Sequence, residues 1–182
     1  MSKAYAFVAD GTEEVELLAV VDLLRRAGVD TVITSVDGIA VTSSHGVKIT
    51  ADGLMSDFDF ADADLLFIPG GMPGSVRMGG CEALVSAVDR QLKAHKHVAA
   101  ICAAPAEVLG ANGFMNGRRG ICFPNFESKM KGADVVSGAR VVTDGNITTA
   151  RGLGCAIDLG LELIKILCGG DVAEDIKNKI QY

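Results

Sequence analysis

Residues 97–110, HVAAICAAPAEVLG, are the stretch that decides the fold. An apolar run typical of a buried strand ends at Cys102, and alanines and a proline then lead into a helical pattern. Residues 100–104, Ala-Ile-Cys-Ala-Ala, follow the form small-x-nucleophile-x-small of a nucleophile elbow, with alanine in place of the usual glycine. The pattern predicts a sharp, strained turn from strand to helix that carries the Cys102 thiol at its apex.

Strands and helices alternate on both sides of this turn. AYAFVAD (4–10) indicates a buried strand, and EEVELLAVVDLLRRAG (13–28) indicates a helix whose apolar stripe carries Val15, Leu18, Val21 and Leu24. The same patterns indicate strands at 30–36 and 63–71, helices at 81–96, 154–169 and 171–181, and hairpins at 36–52, around Asp37-Gly38, and at 139–150, around Asp144-Gly145. This alternation predicts one α/β domain over 1–182, with a doubly wound parallel sheet covered on both faces.

Composition and charge exclude several classes of function. The formal charge of −6 is spread without a basic tract, so we expect no nucleic-acid partner. No uninterrupted apolar run reaches the roughly 18 residues of a membrane span, and the first residues lack a signal-peptide pattern, so we expect a cytoplasmic protein without a membrane partner. The five cysteines are widely spaced and form no CxxC pair, so we expect free thiols and no metal site.

Three segments follow predicted strands and should meet at one edge of the sheet: 9–16, 68–74 and 100–105. Cys102 would sit there at a helix N-terminus, where the helix dipole favours the thiolate, so we expect its pKa to lie below that of a free cysteine. The other four cysteines are expected to be packing residues. The glycines of PGGMPG (69–74) lack the spacing of both common nucleotide-binding motifs, which disfavours a nucleotide site.

The chain resembles a known family through GTEEVE (11–16), FIPGGMPG (67–74), AAICAAPA (99–106) and ARGLGCAIDLGLELI (150–164). In this order, these segments resemble the ThiJ/PfpI superfamily and, within it, the parkinsonism-associated deglycase branch. The resemblance implies a flavodoxin-like sandwich that forms a homodimer. It also implies that Cys102 is the nucleophile, that the Glu16 carboxyl hydrogen-bonds its sulfur, and that the backbone N–H groups of Gly71 and Ala103 form an anion hole.

The pairing of Glu16 with Cys102 is chemically sensible only if the two groups hold a proton between them, because a carboxylate repels a thiolate. We expect burial to push Glu16 toward the neutral acid, which then donates to sulfur. Glu13 and Glu14 are interpreted as ordinary solvated acids of the first helical turn.

The sequence also departs from the family pattern. Ala103 stands where the protease-like branch has a histidine, which disfavours proteolysis. Phe123 replaces a histidine with which Asp22 is grouped in relatives, so proton transfer would fall to Glu16. Arg26 matches an interface arginine in the first helix. His45 replaces an arginine of the hairpin, which we expect to reach toward the neighbouring subunit's site.

Three functions fit these residues. The first is a cysteine-dependent glyoxalase or deglycase that acts on 2-oxoaldehydes such as methylglyoxal, or on glycated adducts, with no cofactor and no metal. The second is a redox sensor in which Cys102 is oxidised to a sulfinate. The third is a chaperone-like dimer without turnover, which would not depend on Cys102.

Overall fold

The computed structural model describes residues 1–182 and contains a seven-stranded sheet between layers of helices. The strands are β1 (Lys3–Val8), β2 (Asp30–Ser35), β3 (Ala40–Thr42), β4 (Lys48–Thr50), β5 (Gly53–Leu54), β6 (Leu65–Ile68), β7 (His97–Ile101), β8 (Arg119–Gly120), β9 (Asp134–Val135), β10 (Val141–Asp144) and β11 (Ile147–Ala150). The helices are α1 (Glu14–Arg26), α2 (Gly74–Gly79), α3 (Glu82–Lys93), α4 (Ala156–Cys168) and α5 (Gly170–Lys179). No helix is both long and apolar enough to cross a membrane.

The central sheet has the order β10-β11-β7-β6-β1-β2-β5 and is parallel except for the antiparallel pair β10–β11. Its main parallel strands, β2-β1-β6-β7-β11, follow the flavodoxin order, which confirms the predicted fold class. Because β1 pairs with both β2 and β6, the winding reverses at this point. Ligands of such sheets bind beyond the carboxyl ends of the strands near this reversal, which directs attention to the loops after β1, β6 and β7.

Side chains of β1 alternate between two apolar cores, one on each face of the sheet. Ala4, Ala6 and Val8 belong to the core covered by α1 and α4. Tyr5 and Phe7 belong to the opposite core, which α3 covers. All five of these side chains are almost completely buried, so β1 is a central strand. The loop that follows it therefore starts from a rigid position.

Helix α1 buries two residues of the predicted stripe, Val21 and Leu24, and leaves the other two on the surface. Leu17, Val20 and Leu24 are buried, whereas Val15 and Leu18 are 46% and 41% exposed. The helix is apolar around much of its circumference, so spacing alone did not reveal which side meets the sheet. The predicted stripe was therefore partly wrong, and an apolar patch of α1 lies on the surface.

The first hairpin turns at Ser44-His45 between β3 and β4, not at the predicted Asp37-Gly38. The Asp37 carboxylate instead accepts the Asp10 backbone N–H at 2.9 Å, and the Asp10 carboxylate accepts the Thr42 N–H at 2.7 Å. Both aspartates therefore tie the hairpin to the loop after β1. The second predicted hairpin, β10–β11, is present around Gly145.

Candidate active site

Cys102 lies at the apex of a sharp turn after β7. Its backbone φ of 66° lies in the left-handed region that non-glycine residues rarely adopt, which confirms the predicted elbow. Two hydrogen bonds hold the turn: the Cys102 N–H donates to the Ala150 carbonyl at 2.9 Å, and its carbonyl accepts the Phe123 N–H at 2.7 Å. A helical segment, Pro105–Gly110, follows with wide i to i+5 hydrogen bonding.

Glu16 reaches the same position from the first turn of α1. Its side chain is completely buried, and Oε2 accepts the Gly70 backbone N–H at 2.9 Å. Its other oxygen, Oε1, is also buried and has no hydrogen-bond partner within the chain. Glu13 fixes this arrangement as the N-cap of α1, since its Oε2 accepts the Glu16 N–H at 2.7 Å.

The glycine loop, residues 69–73 after β6, brings the acid and the thiol together. A Cβ atom on Gly70 would lie 2.5 Å from both the Cys102 Cβ and the Glu16 Oε2. Gly71 has a φ of 92°, and a side chain there would overlap the backbone of residues 11–13. Only glycine at these two positions permits so close an approach. The loops after β1, β6 and β7 therefore converge, as the sequence predicted.

Glu16 and Cys102 are coupled by their ionisation. Burial raises the pKa of Glu16 to about 7, and the nearby charge of Glu13 adds to this rise. Burial raises the pKa of Cys102 to about 12, with a further contribution from the Glu16 carboxylate, although the backbone N–H groups of Ala103 and Gly71 lower it. The expectation of a Cys102 pKa below that of a free thiol is therefore wrong, because burial outweighs the helix end.

These shifts favour a pair that holds one proton near neutral pH. While Glu16 is charged, its carboxylate keeps the thiol protonated; when Glu16 holds the proton, that repulsion is absent and sulfur can carry the charge. The N–H groups of Gly71 and Ala103 both interact with the sulfur and stabilise that charge. The arrangement can present a thiolate beside a neutral acid in a place largely shielded from water.

Asp22 and Arg26 lie away from this pair. They form an exposed i,i+4 ion pair at 2.6 Å, in the second half of α1. Six and ten residues separate them from Glu16, which corresponds to about 9 and 15 Å along a helix. The chain therefore does not bring either side chain to Cys102.

His45 lies over the first turn of α1 in its own chain. Its Nδ1 is 3.6 Å from the Glu14 Oε2 and 4.0 Å from the Glu13 Oε1, while its side chain is 70% exposed. Ligand atoms of these three residues lie within 4.8 Å of one another, a spacing that a cation could bridge.

Burial of Glu13 contradicts its interpretation as a solvated acid, since its side chain is only 9% exposed.

Phe123 lies next to the elbow through its backbone, while the residue is 44% exposed and its ring packs edge-on against Phe126. It therefore offers an apolar surface where relatives were expected to have a histidine. Two roles were not predicted from the sequence: Gly70 as a donor to Glu16, and Glu13 as the cap of α1. The three-residue spacing of Glu13 and Glu16 before an apolar run is the signal that indicates such a cap.

Comparison with known proteins gives consistent results. The profile of the DJ-1/PfpI family matches residues 2–166. The chain is 32% identical to Drosophila melanogaster protein dj-1beta over 97% of this chain and 95% of that protein. It is 32% identical to a Pyrococcus abyssi protein named a deglycase, over 87% of this chain and 95% of that protein. It is 35% identical to Arabidopsis thaliana protein DJ-1 homolog B, but it spans only 40% of that longer protein.

Solved structures give the same picture. The structure titled "Toxoplasma gondii DJ-1, oxidized" superposes with a TM-score of 0.95 at 35% identity, covering 100% of this chain and 99% of that one. Drosophila melanogaster DJ-1beta also gives a TM-score of 0.95, at 30% identity, covering 100% and 98%.

Proposed function

Because the chain belongs to the DJ-1/PfpI family, we propose that it is a cysteine-dependent enzyme that acts on 2-oxoaldehydes such as methylglyoxal without a cofactor. The observation that carries this proposal is the pair formed by the buried Glu16 and the partly buried Cys102, which the glycine loop holds together. A thiolate beside a neutral acid suits addition to an aldehyde, which needs a nucleophile and a proton donor at one carbon.

The first step adds the Cys102 thiolate to the aldehyde carbon of methylglyoxal. A carbon–sulfur bond forms, and the electron pair of the carbonyl moves to its oxygen. We expect the N–H groups of Gly71 and Ala103, which lower the pKa of the Cys102 thiol, to stabilise this charge as well. Glu16 then gives its proton to the oxygen, which yields a neutral hemithioacetal and a carboxylate.

The second step moves a hydrogen between the two carbons. The Glu16 carboxylate removes the hydrogen of the former aldehyde carbon as a proton, the electron pair of that bond forms a carbon–carbon double bond, and the ketone oxygen takes the negative charge. The hydroxyl proton of the first carbon then passes to that oxygen, which gives an enediolate charged on the first oxygen. Glu16 returns the proton to the neighbouring carbon, which leaves a thioester. Water then cleaves the carbon–sulfur bond, so methylglyoxal and one water become lactic acid and the thiol is restored.

Lactate formation from methylglyoxal, without glutathione or metal, tests this proposal. We expect Cys102→Ser and Glu16→Gln to lower turnover by about 100-fold or more, because each removes a group that takes part in bond making. Cys81→Ser is the matched control, since Cys81 caps α3 away from the elbow and should leave turnover unchanged. Lactate formation that survives Cys102→Ser would contradict the proposal.

Cys102 and Glu16 would act in the same way on early glycated adducts, because the reacting carbon of such an adduct is the former aldehyde carbon of methylglyoxal. A Pyrococcus abyssi relative carries the name deglycase, which favours this extension. Release of free amine from a purified hemiaminal, under conditions that trap free methylglyoxal, distinguishes direct deglycation from removal of free aldehyde. Amine release that stops when the aldehyde is trapped would leave only the glyoxalase reaction.

Redox sensing is a second candidate, favoured by the Toxoplasma relative whose structure was solved in an oxidised form. Peroxide would transfer one oxygen to the Cys102 thiolate in each of two steps, giving sulfenate and then sulfinate, and each step would release one water. A neutral Glu16 can donate a hydrogen bond to the sulfinate. Mass spectrometry after peroxide treatment should find two added oxygens on Cys102 in the wild type, and fewer in Glu16→Gln.

We also propose that the protein forms a homodimer through the exposed apolar side of α1. Val15 and Leu18 lie there, in the same helix as Glu16, and both are exposed to solvent. Leu18→Glu should convert the dimer to a monomer in light scattering. A wild-type monomer at micromolar concentration would contradict the proposal.

A further inference from the structure

A cavity of about 270 Å³ borders the elbow on the side of β11. Its walls are Phe123, Pro124, Arg140, Arg151 and the segment 152–155. Because a water molecule occupies about 30 Å³ in the liquid, the cavity has space for a carboxylate or phosphate together with a short carbon chain.

Two walls of this cavity are tied to the nucleophile by backbone hydrogen bonds. The Phe123 N–H donates to the Cys102 carbonyl at 2.7 Å, and the Cys102 N–H donates to the carbonyl of Ala150, the residue before Arg151, at 2.9 Å. The cavity is therefore adjacent to the backbone of the elbow.

The two arginines of the cavity differ in their partners. Arg140 is neutralised by Asp158, with its Nη2 at 2.5 Å from the carboxylate, and it also donates to the Gly154 carbonyl. Arg151 is a half-buried residue, and its guanidinium makes no ion pair or hydrogen bond within the chain. No carboxylate lines the cavity. One positive charge, that of Arg151, thus remains without a counter-charge in the cavity beside the elbow.

We propose that Arg151 binds an anionic group of the substrate, so that the enzyme prefers 2-oxoaldehydes and their adducts that carry a carboxylate or phosphate. A planar guanidinium binds both groups through paired, charge-assisted hydrogen bonds, and partial burial strengthens them. The inference deepens the proposed function and rests on it for the reaction, but anion binding beside Cys102 can be measured without turnover.

The kinetic test compares 4,5-dioxopentanoate, a 2-oxoaldehyde with a terminal carboxylate, with the neutral 2-oxopentanal of similar length. Wild-type kcat/KM should favour the anionic substrate by about 10-fold or more, since a hydrogen bond to a charged group has this strength. Arg151→Gln should lower kcat/KM for the anion about 10- to 100-fold and leave the neutral substrate within about twofold. Arg151→Lys should restore part of the loss, and Arg90→Gln, on α3, is the control.

A phosphate arm uses 3-phosphooxy-2-oxopropanal and separates the two sources of negative charge. A preference for the phosphate over the carboxylate, lost in Arg151→Gln, identifies a phosphorylated substrate. The reverse order identifies a carboxylate. Equal kcat/KM for the anionic and neutral substrates, or an equal loss for both in Arg151→Gln, would overturn the inference.

A binding test separates failure of this inference from failure of the proposed reaction. The probe is 4-oxopentanoate, which carries the carboxylate but no aldehyde, and the readout is protection of Cys102 from iodoacetamide. Protection of the wild type but not of Arg151→Gln, with none by neutral 2-pentanone, supports the subsite even if no 2-oxoaldehyde is turned over. Absence of protection, or equal protection by both compounds, would overturn the subsite even if methylglyoxal is a substrate.

Discussion

Gly70 is the residue on which contact between Glu16 and Cys102 depends. Its N–H donates to the Glu16 Oε2 at 2.9 Å, and its lack of a side chain lets the acid and the thiol lie on either side of it. The elbow places Cys102, and the cap of α1 places Glu16, but neither arrangement alone produces the shared proton. A single missing methyl group therefore controls the chemistry of the site.

Gly70→Ala should separate the pair. Its Cβ would lie 2.5 Å from the Cys102 Cβ and the Glu16 Oε2, so we expect turnover to fall by about 10-fold or more and unfolding to become easier by about 1–3 kcal/mol. Gly80→Ala is the matched control, because its Cβ would meet only ordinary contacts at 3.5 and 3.8 Å. Steady-state kinetics and denaturant unfolding measure both effects. Wild-type turnover in Gly70→Ala would contradict this role for the residue.

Cys102 could be predicted from the sequence as the residue at the elbow, because the small neighbours 100 and 104 signal the turn locally. Its raised pKa could not be predicted in this way. Burial and the Glu16 carboxylate, which approaches from 86 residues earlier in the chain, determine it. The helix end next to Cys102, which the sequence does reveal, favours a lower pKa of the thiol, but burial and the Glu16 carboxylate raise this pKa by more.

At the scale of elements, α1 positions the acid through its first turn. Glu13 caps the helix by accepting the Glu16 N–H, and the Glu13 N–H in turn donates to the Gly70 carbonyl at 2.9 Å. The helix start is thus attached to the glycine loop. The negative charge of Glu13 also contributes to the raised pKa of Glu16.

Two substitutions separate the cap from the charge. Glu13→Ala should lower the free energy of unfolding by about 1 kcal/mol, because it removes the N-cap acceptor. Glu13→Gln keeps an acceptor oxygen but removes the charge, so stability should be largely retained while the pKa of Glu16 falls. The pH midpoint of turnover should then move to lower pH. A midpoint unchanged in Glu13→Gln would show that Glu13 acts only as a cap.

The sequence predicted the major elements well where one pattern dominated. The strands 97–101 and 65–68 are short apolar runs next to glycine or small residues, and both are present. The buried side of α1 could not be predicted, because Val15 and Leu18 are as apolar as Leu17 and Val20. The first hairpin turned elsewhere because Asp37 binds the loop after β1, a contact between distant segments.

At the scale of the whole molecule, two buried groups give stability opposite dependences on pH. Glu16 has a raised pKa of about 7, so its contribution is fully present below pH 4.5 and is lost as the pH rises through 7. His97 has a pKa lowered by burial to about 4, so its contribution is present above pH 6.5 and is lost as the pH falls through 4. Between about pH 4.5 and 6.5, a rise in pH lowers the contribution of Glu16 to stability and raises that of His97.

Glu16→Gln should separate the two contributions to the pH dependence of stability. We expect the variant to match the wild type near pH 4 and to be more stable at pH 8, by at most about 3 kcal/mol, because no charge is then buried. With Glu16 removed, stability should rise from pH 4 to 6.5, because over this range the unfolded chain still holds a proton on His97 that the folded chain has lost. Asp22→Asn, in an exposed ion pair, is the control, with an effect below about 1 kcal/mol at each pH. Denaturant unfolding measures these differences, and an equal shift at both pH values would contradict the account.

The most direct test of the shared proton is the rate at which iodoacetamide alkylates Cys102 as a function of pH, followed by mass spectrometry. For the wild type we predict a rate that rises as the pH passes about 7, where the pair loses its first proton, and then stays level to about pH 10. Glu16→Gln should show no step near pH 7. A wild-type rate that instead rises tenfold per pH unit up to the pKa of a free thiol, and is unchanged in Glu16→Gln, would contradict the claim that the two groups share one proton.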